Sequence, residues 1–231
     1  MWNKISEFFQ LVGINLYVSI KGLAEYTKVV WRYYGNKEFR RADLALLKAY
    51  RFDSPYQVHK RYMQELNKED VYLYGETYLT TLDTLAQKAD IGPEDVYIEL
   101  GCGRGRTAFW MRCIKHCYVV GIDYVPQFIT RANRVILANQ LEKIAFYCED
   151  FLTAPWHPGT VYYLDATLLE GEEVAAVIKR CDELPTGTKM IAINFSLVGD
   201  FPSERPQWHM IEIFTAPFPW GESEVGLFRK N

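Results

Sequence analysis

Four acidic residues mark where chemistry is expected: Glu99, Asp123, Asp150 and Asp165. Each follows or closes a short apolar run, and ligands in open α/β sheets bind outside the carboxyl ends of such runs. Behind Glu99 comes Gly101-Cys102-Gly103-Arg104-Gly105-Arg106. Its glycines let the backbone turn tightly and approach a ligand without Cβ interference, and the helix expected next offers free N–H groups. A dinucleotide loop would read G-x-G-x-x-G and hold a pyrophosphate. Here Arg106 stands at the third glycine's place, and the carboxylate of Glu99 would repel a pyrophosphate while suiting an ammonium group. Asp123 lies about 20 residues beyond the loop, the spacing of an acid that accepts from ribose hydroxyls. Tyr124 or Val125 can lie against a base face. Asp150 can accept from an exocyclic amine, and Phe151 supplies an apolar edge. Singly, any of these acids reads equally well as a helix cap. Four in order describe a ligand with an ammonium at one end and a nucleoside at the other.

The elements that must place these residues follow from periodicity. Strands are expected at 95–100, 118–123, 144–148, 160–165 and 188–194, with helices at roughly 105–116, 126–139 and 171–183. This alternation predicts a parallel sheet covered on both faces. Residues 208–215 and 224–230 are strand-like with no room for a helix between them, so they should form an antiparallel hairpin at the sheet edge. Ahead of the glycine loop, helices are expected at 3–34, 37–51 (capped by Asn36), 55–66 (opened by Ser54-Pro55) and 78–89. The polar break at 67–70 divides an N-terminal helical segment, 1–70, from a main domain, 71–231.

Hydrophobic residues make up 49% of the 231, enough for a full core. The net charge of −3 hides an asymmetry: residues 1–68 hold 12 Lys and Arg against 6 Asp and Glu, and the remainder is acidic. Nucleic acid is therefore read as an unlikely partner for the acidic part. From Phe8 to Ile20 there is no charge, and Lys4, Lys21, Lys28 and Arg32 flank the run among several aromatics. It is too short to span a bilayer. An interfacial helix over residues 1–34 and a helix packed on the domain or on a second subunit both fit. Five cysteines at irregular spacing, without a secretory leader, point to a reduced cytoplasmic protein, peripheral to a membrane if the first helix binds one. Cys113, His116 and Cys117 lack the second pair a zinc site needs, so no metal is expected.

With these residues in hand, the chain resembles the class I S-adenosylmethionine-dependent methyltransferases over about residues 72–231. The resemblance implies a Rossmann-like, seven-stranded α/β sheet, mostly parallel with an antiparallel C-terminal hairpin, and S-adenosylmethionine as cofactor. It implies that Glu99 and Gly101, Cys102, Gly103 and Gly105 hold the methionine end. Asp123 would hold the ribose, Asp150 and Phe151 would frame the adenine with Tyr124 among the cofactor residues, and Asp165 would face the acceptor. Tyr74-Gly75-Glu76-Thr77, one helix ahead of the loop, resembles the non-SET histone-lysine and ATP synthase c-subunit lysine methyltransferases, where such a segment helps close the cofactor pocket. This implies a protein lysine as acceptor, with Tyr74, Asp165 and Asn194 as candidate catalytic residues. After the expected fourth strand stands Asp165-Ala166-Thr167-Leu168-Leu169, where that group has an asparagine-rich segment. The N/D-P-P-Y/F signature of adenine and glutamine-amide methylation is missing. A small-molecule or lipid acceptor, and a cofactor-binding module without catalysis, remain the alternatives.

Overall fold

The computed structural model describes residues 21–67, 74–197 and 206–231. The first twenty residues, which hold the whole uncharged run, lie outside the described residues, as do 68–73 and 198–205. A helix runs through residues 21–33 (α1). It is followed by α2 (Lys37–Ala49), α3 (Pro55–Glu65) and α4 (Leu79–Lys88). Then strands and helices alternate: β1 (Val96–Leu100), α5 (Arg106–Trp110, continued as one π-turn to Lys115), β2 (Tyr118–Asp123), α6 (Pro126–Asn139), β3 (Ile144–Cys148), β4 (Val161–Asp165), α7 (Glu172–Glu183) and β5 (Lys189–Ile193). The hairpin β6 (Trp208–Phe218) and β7 (Gly221–Lys230) closes the chain.

The seven strands form one sheet in the order β3-β2-β1-β4-β5-β7-β6. β1 to β5 are parallel, and β7 inserts antiparallel between β5 and β6. This is the expected Rossmann-like sheet. The hairpin is longer than expected, because Pro217 lies inside β6, opposite Glu222, rather than in the turn. β6 is an edge strand, where a residue without an N–H is tolerated.

Alternation along the strands sorts the core into two layers. Tyr97, Val119, Tyr163, Ile191 and Ile193 face a cluster with Leu82, Phe109, Trp110 and Phe128 from α4, α5 and α6. Ile98, Leu100, Ile122, Tyr162 and Leu164 face the other, with Val177 and Cys181 of α7. The front helices join the first layer through Val29, Tyr33, Phe39, Ala42, Leu46, Tyr50 and Val58. Glu25 of α1 accepts from the N–H and hydroxyl of Thr80 at 3.1 and 2.8 Å. It thus caps α4 from outside, where the side chain of Tyr78 at the cap position does not itself cap the helix. Asn36 and Ser54 cap α2 and α3 as expected, accepting from Phe39 N at 2.9 Å and Gln57 N at 3.3 Å.

Candidate active site

A cavity of about 730 Å³ opens at the carboxyl ends of β1, β2 and β4. There β1 has neighbours leading in opposite chain directions, which is the switch point where α/β sheets bind ligands. Every expected cofactor residue but one lines it: Tyr74 to Thr77, Glu99, Gly101 to Gly103, Asp123, Tyr124, Asp150 and Phe151. The exception, Gly105, stands just behind the wall and opens α5 in a left-handed conformation, φ 80°.

The loop is held from beneath. Gly101 N and Cys102 N both donate to Ile122 O at 2.9 Å, and Gly103 N donates to Asp123 Oδ2 at 2.8 Å. Gly103 has φ 53°, and a Cβ there would come within 3.0 Å of the Tyr74 hydroxyl oxygen. Backbone angle and close approach therefore both call for glycine at this position. A Cβ at Gly105 would come within 2.5 Å of the Phe146 ring. Asp123 also accepts from Val125 N at 2.9 Å. Burial pushes its carboxyl up to about 6, against the pull of those two N–H groups.

Glu99 is 3% exposed. Its Oε1 accepts from the Thr107 hydroxyl, while the buried Oε2 has no hydrogen-bond partner among the described residues. Burial pushes the carboxyl up to about 8, opposed by the Thr107 bond and reinforced by Asp123 and Glu76. A buried, unpartnered carboxylate oxygen is costly and attracts a cation. The residues present thus fit a cofactor carrying an ammonium group.

The segment 74–77 is tied at three points, to Arg104 of the loop, to Trp220 and to Tyr163 of β4. The Tyr74 hydroxyl donates to Glu76 Oε1 at 2.6 Å, and Arg104 grips the same carboxylate through two bonds, at 2.5 and 2.8 Å. Burial alone would raise the Glu76 pKa, but the Arg104 charge and the hydrogen bonds from Arg104 and Tyr74 hold it below the usual value. At Gly75 a Cβ would come within 2.6 Å of the Trp220 indole, so the ring lies directly on the backbone. The Thr77 and Tyr163 hydroxyls are 2.5 Å apart. Arg106, the residue in place of a third glycine, reaches Asp43 of α2 with bonds of 2.7 and 3.0 Å. A front helix is thereby locked to the helix that begins at the loop.

Asp165 and Tyr163 at the end of β4 line the same cavity. Asp165 accepts from Thr167 N at 3.1 Å and from its hydroxyl at 2.5 Å, and burial raises its pKa in spite of both. Asp150 accepts from Leu152 N at 2.9 Å, an Asx turn that holds Phe151 against Gly101. The Tyr124 hydroxyl donates to Met63 Sδ at 3.3 Å. Asn194 is not brought to the cavity wall. Its amide ties the end of β5 to Thr167, Ser223 and the N–H of Glu224. Trp220 also lines the cavity, and Phe218 stacks on its indole.

The sequence reading misses the contribution of α3. His59, Tyr62, Met63 and Leu66 line the cavity. Their i, i+3, i+4, i+7 spacing marks one helical face, but spacing alone does not say what that face covers. His59 is 7% exposed, and its Nδ1 is buried without a partner among the described residues. Burial lowers its pKa.

Residues 91–198 match the family described as "Methyltransferase domain". The chain is 24% identical over 115 residues to a (+)-O-methylkolavelool synthase of Herpetosiphon aurantiacus, which covers 46% of this chain and 40% of that protein. It thus spans well under half the length of that curated relative. Among solved structures, an RNA methyltransferase from Salinibacter ruber in complex with S-adenosyl-L-homocysteine superposes with TM-score 0.55 at 19% identity, over 68% of this chain and 94% of that one. A mutant form of MtNAS in complex with S-adenosylmethionine superposes with TM-score 0.53 at 13% identity, over 88% and 77%. The fold is that of a class I S-adenosylmethionine-dependent methyltransferase. The expected fold is borne out, and the match over residues 91–198 agrees with the expected enzyme class and cofactor. The finer likeness to lysine methyltransferases is not carried by these matches. One expectation is corrected: overall charge makes nucleic acid an unlikely partner, yet an RNA methyltransferase shares this fold. Net charge averages over the whole surface and does not exclude a local binding face.

Proposed function

We propose that the chain methylates a small-molecule acceptor inside the cavity. The observation that carries this is the charge of the wall. Its two arginines are already used, Arg104 by Glu76 and Arg106 by Asp43. Glu99, Asp123, Asp150, Asp165 and Glu173 line it without an ion-pair partner among the described residues. Such a wall suits a neutral or cationic acceptor and disfavours phosphate. The name of the Herpetosiphon relative, an O-methylated product, lends support to a small-molecule reading.

In this reading Glu99 Oε2 receives the cofactor's ammonium, Asp123 accepts from the ribose hydroxyls, and Asp150 and Phe151 frame the base. When bound, S-adenosylmethionine supplies a methyl group activated by the sulfonium it leaves. The protein's work is then positioning and exclusion of water. The strap 74–77 and Trp220 close one side. Asp165, with a pKa raised by burial, accepts the proton or hydrogen bond of the acceptor's O–H or N–H. A protein lysine is the second reading. The observation favouring it is the Tyr74-Gly75-Glu76-Thr77 sequence, which straps the cavity next to Asp165.

One experiment separates the two. The full chain is incubated with methyl-labelled S-adenosylmethionine and a cell extract divided into protein and small-molecule fractions. Label in the small-molecule fraction is expected. Label confined to protein overturns this reading in favour of lysine, and no label in either fraction overturns both.

A further inference from the structure

α2 has two faces of opposite character. Inward, Phe39, Ala42 and Leu46 enter the core, and Asp43 binds Arg106. Outward, Lys37, Arg40, Arg41, Leu44 and Lys48 are exposed. At 100° per residue these five fall within an arc of about 100°. Just beyond the helix the Arg51 guanidinium lies 4.3 Å from the centre of the Phe52 ring, and Phe52 is 85% exposed. None of the cations Lys37, Arg40, Arg41, Lys48 and Arg51 forms an ion pair among the described residues. Of the two acids in the helix, Glu38 faces Arg112 at 3.6 Å and Asp43 is buried. A protein of net charge −3 thus concentrates unneutralised positive charge on one helix and the turn after it.

We infer that this face docks on an anionic phospholipid surface. Charge complementarity selects a polyanion, and the apolar side chains select a lipid. Leu44 is 47% exposed in the middle of the cationic arc, and Phe52 extends from its end. On α1, Leu23 and Trp31 are exposed as well, at 67% and 83%. Cations at the phosphate level with apolar tips just below them describe an interfacial helix. A nucleic acid would reward the cations but gains nothing from an exposed Leu44. The preceding sequence from Phe8 to Ile20, which carries no charge, is in keeping with such a surface. The proposal does not depend on the acceptor, and its test needs no turnover.

The test is co-sedimentation of the full chain with phosphatidylcholine vesicles, with and without phosphatidylserine. Binding is expected only with phosphatidylserine, and it should weaken as salt is raised. Arg40→Glu, Arg41→Glu and Lys48→Glu together should reduce partitioning on the order of a hundred-fold or more. The corresponding triple change to Gln serves as a milder variant and should lose at least about tenfold. Leu44→Ser should lose several-fold with its charges intact. Unchanged thermal stability and cofactor binding show that these surface changes leave the fold in place. Four results overturn the proposal: no binding by the unaltered chain, equal binding to neutral vesicles, equal binding by both triple variants, or tighter binding to a single-stranded RNA oligonucleotide that the same substitutions abolish.

Discussion

Two glutamates line one cavity, Glu99 buried and Glu76 half-buried, and their surroundings push them in opposite directions. Glu76, on the strap, is met by the fork of Arg104 and the hydroxyl of Tyr74, which hold it ionised. Glu99, at the end of β1, has one hydroxyl on one oxygen and no partner for the other among the described residues, and burial pushes it up to about 8. Burial alone does not identify a binding residue. Glu76 is a strut whose bonds are complete within the protein. Glu99 has a valence left over, and an incoming cation can satisfy it.

The largest effect should come from removing the strut. Glu76→Ala leaves Arg104 buried with no counter-charge, and breaking such a pair from one side costs on the order of 3 kcal/mol. A drop in the midpoint of chemical denaturation without a change in slope checks it. A loss of less than about 0.5 kcal/mol would place Glu76 among exposed, weakly coupled pairs.

Glu99→Gln should do the reverse. It keeps the shape and the Thr107 contact, so the fold survives, but it removes the charge that receives an ammonium. Affinity for S-adenosylmethionine, measured by calorimetry, should fall on the order of tenfold to a hundred-fold, the range of a charge-assisted hydrogen bond. Unchanged affinity would remove Glu99 from the ligand. Because the ammonium favours ionised Glu99, affinity of the unaltered chain should rise with pH toward about 8. The glutamine variant should lose that rise.

The same pair separates again in stability against pH. An unfolded glutamate titrates near 4.3, by the usual reference value, whereas folded Glu99 keeps its proton up to about 8. Between those values the folded state binds more protons than the unfolded, so stability of the cofactor-free protein falls as pH rises. Asp123 adds a smaller fall in the same direction, ending near pH 6. Glu76, with its lowered pKa, contributes in the opposite sense: its stabilisation is present at neutral pH and lost as pH falls through the acid range. Melting temperatures of the unaltered chain and of Glu99→Gln should therefore converge toward pH 5 and separate toward pH 8. Parallel curves would remove the proton assigned to Glu99.

How much of this is legible in the sequence depends on whether a feature is local. The glycine loop, Glu99 and Asp123 sit within a single strand–turn–helix–strand run, so spacing alone brings them together. The parallel sheet and its terminal hairpin follow from local periodicity, although Pro217 hides three residues of β6. Nothing local links Glu76 to Arg104, Arg106 to Asp43 or Trp220 to Gly75, because each joins parts of the chain that only the tertiary fold brings together. Arg106 is visible as a departure from a dinucleotide loop, but its partner lies 63 residues earlier. The α3 face with His59 is visible as a stripe and not as a wall. The outward cations of α2 count toward the basic front segment, but only the inward burial of Phe39, Ala42, Asp43 and Leu46 shows that they share one exposed face.

The smallest effect tests the distinction at a residue that composition favours and geometry does not. Asn194 follows β5 directly, much as Asp165 closes β4, and as polar residues at strand ends the two are alike in sequence. The Asn194 amide nitrogen donates to Thr167 Oγ1 at 2.9 Å and to Ser223 Oγ at 3.3 Å, and its oxygen accepts from Glu224 N at 3.1 Å. By the criterion that separates Glu99 from Glu76, Asn194 belongs with the struts. Its φ of 52° makes glycine the fair replacement, since alanine would add backbone strain. Asn194→Gly should leave kcat/KM within about twofold and cost about 1 kcal/mol of stability for the lost bonds. If kcat instead falls on the order of a hundred-fold with stability intact, the effect has the size of a lost proton-transfer group. Asn194 would then reach the reacting atoms through a rearrangement of the β5–β7 end, and a complete set of hydrogen bonds would no longer serve to tell a strut from a binding residue in this cavity.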